Sequence, residues 1–199
     1  MEDSRSDAEV IEASLGQPTE FGRVFERHWD SVFRFVEGRL GLNAAQDLAS
    51  EVFRIAFQRR MSYEIVEGTS CLPWLYGIAT NLVLKERRSF ARHLAAVARF
   101  SRITPQGVGD HAAHVAASVD SEQIWTQVQA ALNTIDEMSR EMLLLVAWEG
   151  LSYQQVADVF DIPLGTVRSR LYRARAQLRT LLNPLVELPA DSAIRERKT

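Results

Sequence analysis

The sequence predicts an all-α protein made of two small helical domains joined by a flexible linker. Three observations lead there. Apolar residues recur at spacings of three and four through 19–92 and again through 121–182, which is the period of a helix with one buried stripe. Between these blocks, 93–120 holds Pro105, Gly107, Gly109, His111, His114 and many alanines, with no sustained stripe, and reads as a partly helical linker. Almost nothing alternates with the period of a strand. An apolar content of 46% supports real cores, and no run reaches the roughly 18 apolar residues of a membrane span.

Residues 1–18 carry Glu2, Asp3, Asp7, Glu9 and Glu12 and are expected to form a disordered acidic tail. They lack the basic-then-apolar order of a signal peptide, so a cytoplasmic protein is expected. In 19–92 a first helix buries Phe21, Val24, Phe25, Val32, Phe35 and Val36 and stops at Gly41. Asn43 with Gln46 three residues on is the pattern of a capping box, and predicts that a second helix starts there with Leu48, Val52, Ile55 and Ala56 inward. Residues 61–71 break the period as a loop. Pro73 then sits in the first turn of a third helix, where its missing N–H costs little, ahead of Leu75, Ile78, Ala79 and Leu82. Periodicity resumes at Ile124, Val128, Ala131, Leu132 and Ile135, and a further helix over about 138–149 ends at Gly150. Pro184 and Pro189 discourage a long helix in the tail, 183–199.

Between Gly150 and the tail lies the most specific stretch, "LSYQQVADVFDIPLGTVRSRLYRARAQL". Ser152 and Gln155 form a capping box; Val156, Val159 and Phe160 face inward; Ala157 is small where two helices must cross closely. Asp161 sits at the turn, and a second helix runs from about Leu164, anchored by Val167 and Leu171. Arg168, Ser169, Tyr172, Arg173 and Arg175 are left for its outer face. This is the order of a helix-turn-helix, whose second helix enters the DNA major groove. Net charge over the chain is −3, so DNA contacts must come from local patches. Residues 161–180 supply one, with five arginines against one acidic residue. A solvated basic face would explain the arginines, but not the cap, the small crossing residue and the anchoring valine at matching offsets.

Two further stripes are not explained by a core, although a solvated face with i,i+4 pairs would also account for the first, and Trp74 taken alone suits the core. Asp47, Glu51, Arg54 and Gln58 share one face of the second helix, at i, i+4, i+7 and i+11. Trp74, Asn81, Lys85, Arg88 and Arg92 share one face of the third. An aromatic, an amide and a basic row suit single-stranded DNA: cations follow phosphates, rings stack on bases, and the amide hydrogen-bonds an unpaired base.

The chain from about 20 to 182 resembles the extracytoplasmic-function (ECF) sigma factors of bacterial RNA polymerase. "DLASEVFRIAF" is similar to the family's region 2.2, "PWLYGIATNLVLKERR" to regions 2.3 and 2.4, and "LSYQQVADVFDIPLGTVRSRLYRAR" to region 4.2. The resemblance implies a sigma-2-like domain (19–92) and a sigma-4-like domain (121–182). It implies core RNA polymerase as a partner, through its β′ clamp helices and β flap, with Asp47, Glu51, Arg54 and Gln58 as the polymerase-facing residues. Trp74, Asn81, Lys85 and Arg88 would take melted −10 DNA, Asn81 at a flipped base beside the 61–71 loop. Arg168, Ser169, Tyr172, Arg173 and Arg175 would read the −35 element. An anti-sigma factor is an implied partner, and no cofactor is. Asp161 stands where the family commonly has glycine, and Gly77 where it often has a basic residue.

Other classes predict other things. A stand-alone helix-turn-helix repressor or activator with an N-terminal dimerisation bundle would bind an operator tightly without polymerase. A helical metal hydrolase would recruit Asp47, Glu51, His111 and His114, but both histidines fall in the linker with no carboxylate at metal spacing. No serine or cysteine nucleophile arrangement is present, so the chain reads as a non-enzyme. The one cysteine, Cys71, excludes an internal disulfide and a cysteine-based zinc site, and suits a buried inert thiol.

Overall fold

A computed structural model describes residues 5–63, 70–101 and 127–182, which are helical with no strand among them. They fall into two units, each taken by itself below. Parts of the loop (64–69), most of the linker (102–120), Ile124 and the tail 183–199 lie outside the described residues.

The N-terminal unit begins where a disordered tail was expected. Ser6 and Glu9 cap one another: the Glu9 N–H donates to Ser6 Oγ (3.3 Å) and the Ser6 N–H to Glu9 Oε2 (2.6 Å). They start helix α1, Asp7–Gly16. Its Ala8, Val10, Ile11 and Ser14 are buried. The acidic composition hid a short apolar stripe, and the Ser6–Glu9 capping box outweighs that composition when the helix has a bundle to lie on.

A 3₁₀ turn, Pro18–Phe21, leads into α2, Gly22–Leu40, and Gly41 closes α2 with its N–H on Glu37 O at 2.8 Å. Gly41 has φ 79°, a conformation that costs other residues about 1–2 kcal/mol. It also serves as the N-cap of α3, Leu42–Arg59. The chain therefore reverses in one residue and α3 starts earlier than expected. Asn43 lies inside the first turn, and no side chain caps that end. A second 3₁₀ turn, Arg60–Ser62, follows, and α4 runs Leu72–Ser101. Helix thus extends through the first residues of the expected linker, where Ala95, Ala96 and Ala98 are strong helix formers.

Helices α2, α3 and α4 pack on one another, with α1 laid against α2 and the two 3₁₀ turns. The shared core is Val24, Val32, Val36, Val52, Ala56, Leu75, Ala79 and Val83, all fully buried. Phe25, expected in that core, is 41% exposed and instead heads a row of rings, Phe25–Trp29 at 4.8 Å and Phe25–Phe53 at 4.9 Å. Arg39 is buried with its guanidinium 3.5 Å above Phe35, whose other neighbour is Tyr76 at 4.7 Å.

In the C-terminal unit, α5 is helical over 127–133, and α6 spans Glu137–Ala147 with Asp136 as its N-cap, accepting from the Ser139 N–H at 3.0 Å. Helix α7, Tyr153–Phe160, opens on the expected capping box: the Gln155 N–H meets Ser152 Oγ at 3.2 Å and the Ser152 N–H meets Gln155 Oε1 at 2.8 Å. Helix α8, Leu164–Leu182, packs on α6. Val167 and Leu171 are fully buried, as their anchoring role requires.

Asp161 joins α7 to α8 at φ 51°, the one described non-glycine residue at positive φ. Glycine there escapes the left-handed penalty but has more freedom to lose on folding. Asp161→Gly is therefore expected to stabilise the unit by up to about 1 kcal/mol. The check is thermal unfolding, where the melting temperature of this unit should rise by a few degrees.

Candidate nucleic-acid and polymerase interfaces

The geometry of α8 divides its arginines. Val167, Leu171 and Ala174 are buried, so the opposite face holds Arg168, Ser169, Tyr172 and Arg173, all exposed. Tyr172 is 66% exposed, unusual for a ring, and stands clear of the unit. Ser169 donates to Thr166 O at 3.0 Å, and Arg173 Nε lies back on Ser169 O at 3.3 Å. Arg175 behaves differently from the expected outer row. Its Nη1 donates to Tyr153 Oη at 2.6 Å and its guanidinium stands 5.6 Å from that ring, tying α8 to α7. Arg170 meets Asp136 at 3.3 Å and so ties α8 to the cap of α6. Burial alone would raise the Asp136 carboxyl; the Ser139 hydrogen bonds, with Arg170 and Arg173, hold it below its ordinary value. The outward cations of the recognition face are therefore Arg168 and Arg173.

In the N-terminal unit the α3 stripe is displayed as expected, with Asp47, Arg54 and Gln58 exposed and Glu51 half-buried. Glu51 and Arg54 form a two-pronged ion pair, both N···O distances 2.6 Å. That hydrogen bonding lowers the Glu51 carboxyl against an opposing effect of burial, and the Arg54 charge and Lys85 of α4 add to the lowering. The acidic stripe of α3 therefore lies within electrostatic reach of the basic stripe of α4.

On α4, Asn81, Lys85, Arg88 and Arg92 are all exposed. The Asn81 amide donates back to Gly77 O at 3.1 Å. Arg87 is turned the other way and donates to Arg39 O at 3.1 Å, fastening α4 to the end of α2. Trp74 does not stand open like the rest. It is half-buried with its ring 4.9 Å from Tyr63, at the other end of the loop. Tyr63 escaped the sequence stripes because it sits in an aperiodic stretch. Burial, with Cys71 and Asp7 beside it, pushes its hydroxyl up to about 12.

Asp7 also escaped. Its side chain is buried, and its oxygens accept from His28 Nε2 (2.7 Å), the Cys71 N–H (3.0 Å), Ser70 Oγ (3.2 Å) and Arg27 Nη1 (3.1 Å). Burial alone would raise this carboxyl; the His28 and Cys71 hydrogen bonds, with Arg27, hold it well below the usual carboxylate range. Donor atoms of Asp7, His28 and Cys71 lie within 4.8 Å of one another, close enough for a shared metal ion. Four hydrogen-bond donors, one of them a guanidinium, already occupy that carboxylate, and burial raises the Cys71 thiol above its ordinary value. The cluster is a closed hydrogen-bonded joint.

These features define a class: an all-helical protein with an N-terminal three-helix core carrying paired charged stripes and a C-terminal helix-turn-helix. Residues 24–100 match the family Sigma-70 region 2, and 125–178 match Sigma-70, region 4. The chain is 33% identical over 154 residues to the RNA polymerase sigma-H factor of Pseudomonas aeruginosa, a match covering 71% of this chain and 75% of that one. It is 32% identical to the ECF RNA polymerase sigma factor SigE of Mycolicibacterium smegmatis over 84% of this chain, spanning 63% of that relative's length. The fold is that of the sigma factor RpoE in its complex with the anti-sigma factor NepR from Bartonella quintana, with TM-score 0.60, 23% identity, and 84% and 99% of the two chains covered. CnrH in complex with the cytosolic domain of CnrY gives TM-score 0.58 at 20% identity, covering 92% and 100%. The chain belongs to the ECF sigma factors of the sigma-70 family. That family consists of sigma factors rather than enzymes, and membership does not favour the stand-alone repressor. Among the described residues no helix is long and apolar enough to cross a membrane.

Proposed function

We propose that this chain is an alternative sigma factor that binds core RNA polymerase in the cytoplasm and directs transcription from its own set of promoters. The observation that carries the reading is the presence, in one chain and in order, of a region 2 bundle with adjacent acidic and basic stripes and a region 4 helix-turn-helix. Arg168, Ser169, Tyr172 and Arg173 read the −35 duplex from the major groove, with Arg175 bracing α8 on α7. Asn81, Lys85 and Arg88 take the melted −10 strand, with Trp74 and Tyr63 as the aromatic wall at its start. Asp47, Glu51, Arg54 and Gln58 meet the β′ clamp helices, and the C-terminal unit meets the β flap. Each DNA contact is small, so tight promoter binding requires polymerase to hold both units and make the second contact intramolecular. An anti-sigma factor that covers these faces is the expected regulator, since two structures of like fold are complexes with NepR and with the cytosolic domain of CnrY.

Run-off transcription from a genomic promoter library, with core polymerase alone and with the chain added, tests this. Discrete new start sites that need both proteins are expected. No new transcripts, with tight DNA binding by the chain alone, would overturn the reading. Alanine at both Asp47 and Glu51 is expected to weaken core binding about 10-fold, with the helical content unchanged. It removes two acceptors and leaves the Arg54 cation facing the partner. Fluorescence anisotropy of the labelled chain against core polymerase gives the affinity.

A further inference from the structure

The role of α1 in the chain is not explained by any stripe or motif. Besides packing on α2 and the first 3₁₀ turn, it is hydrogen-bonded to both ends of the loop before α4. At its N-terminal end, Asp7 accepts from Ser70 Oγ and from the Cys71 N–H, the two residues that lead into α4. Ser70 Oγ in turn accepts from the Leu72 N–H at 3.2 Å, and Leu75 N–H meets Cys71 O at 3.1 Å, so these residues cap the helix. Toward its C-terminal end, Ser14 O accepts from Arg60 Nε at 3.4 Å, in the 3₁₀ turn that runs into Tyr63. Asp7 and Ser14 are seven residues apart on one helix, about 10 Å at roughly 1.5 Å per residue. A single rigid rod therefore holds both feet of the loop. Between those feet the Tyr63 and Trp74 rings meet, and Asn81 follows Trp74 by two turns on the same helix.

The Asp7 joint is also the place where three helices are tied together. Arg27 and His28 bring in α2, and the carboxylate is the anion at the N-terminus of α4, where the helix dipole favours negative charge. A fold held only by apolar packing would not need so directional a joint. What it fixes is the direction in which α4 sets out, and hence where its exposed amide and cations lie relative to the aromatic pair.

We infer that α1 is a strap, with Asp7 as its positioning residue, that sets the geometry in which the Tyr63–Trp74 pair and Asn81 receive single-stranded promoter DNA. This rests on the sigma reading above. The strap acts on strand capture. Core binding and −35 contact are expected to be independent of it.

The test is Asp7→Asn, assayed as holoenzyme on a duplex promoter and on the same promoter with the −10 region pre-melted by mismatch. Asparagine keeps the shape but presents an NH₂ to donors that need an acceptor. Transcription from the duplex is expected to fall about 10-fold, with reduced permanganate reactivity of −10 thymines. The pre-melted template should restore output to within about 2-fold, at unchanged core affinity. Ser70→Ala, which removes one donor and leaves the carboxylate paired, should lower the duplex-to-pre-melted ratio about 3-fold, and carries the test if Asp7→Asn does not fold. Equal losses on both templates, or no loss on either, in a folded variant overturn the strap. A wild-type chain that supports transcription from neither template overturns the sigma reading, and the strap with it.

Discussion

Alanine at both Arg168 and Arg173 is expected to reduce transcription from promoters with an intact −35 element by about 100-fold. A bidentate arginine–guanine contact is worth roughly 1–3 kcal/mol, and about 1.4 kcal/mol is tenfold in rate or affinity, so two such contacts give this order. Among the arginines of the reading face and its flanks these two stand outward, whereas Arg170 is bound to Asp136 and Arg175 to Tyr153. Abortive initiation on matched promoters, one with the −35 sequence scrambled, separates the mechanisms. If the arginines read bases, the variant and the wild type converge on the scrambled promoter. If they only neutralise phosphates, the variant loses equally on both, and the salt slope of binding drops by about two counterions without any gain in promiscuity.

Leu171→Ala, only two residues from Arg173, is expected to act by another route. Leu171 is fully buried between the recognition helix and its support. Removing its side chain costs about 3 kcal/mol through lost burial and the cavity left behind. A unit this small has roughly 3–5 kcal/mol to lose. Calorimetry should therefore show a transition for the C-terminal unit lowered by 10 °C or more while the N-terminal transition stays in place. Tyr172→Ala, the adjacent residue on the outward side, should leave the melting curve within about 0.5 kcal/mol of wild type and still impair −35 use. Were Leu171→Ala to melt like wild type, the division of α8 into a buried and a reading face would be wrong.

Much of this architecture was legible in the residues. Gly41 ends α2 by taking positive φ, and the Ser152–Gln155 box starts α7 by its own chemistry; Gly150 also takes positive φ, but α6 has already ended at Ala147, two residues short of the expected end. The exposed faces of α3 and α8 followed from helical period alone. What escaped depended on long-range contacts. Helix α1 reads as an acidic tail until Arg27, His28, Ser70 and Cys71, each at least 20 residues away, surround Asp7. Asn43 has the chemistry of a cap but not the position, since Gly41 turns the chain first. Arg175 lies on the expected arc, yet a tyrosine on the neighbouring helix claims it, and Trp74 is claimed by Tyr63 in the same way. Period tells which residues share a face; it does not tell which of them another element will occupy.

Helix α4 is continuous over 30 residues, from the Asp7 joint through the bundle core to Ser101. At roughly 1.5 Å per residue it is a lever about 45 Å long, so a tilt of about 5° at its root carries its tip through about 4 Å. The pivot is seated at one end of the load and fastened midway by Arg87 on Arg39 O. A small displacement of the root near Ser70 is thereby magnified at residue 101, and a displacement of residue 101 is returned, reduced, to the root.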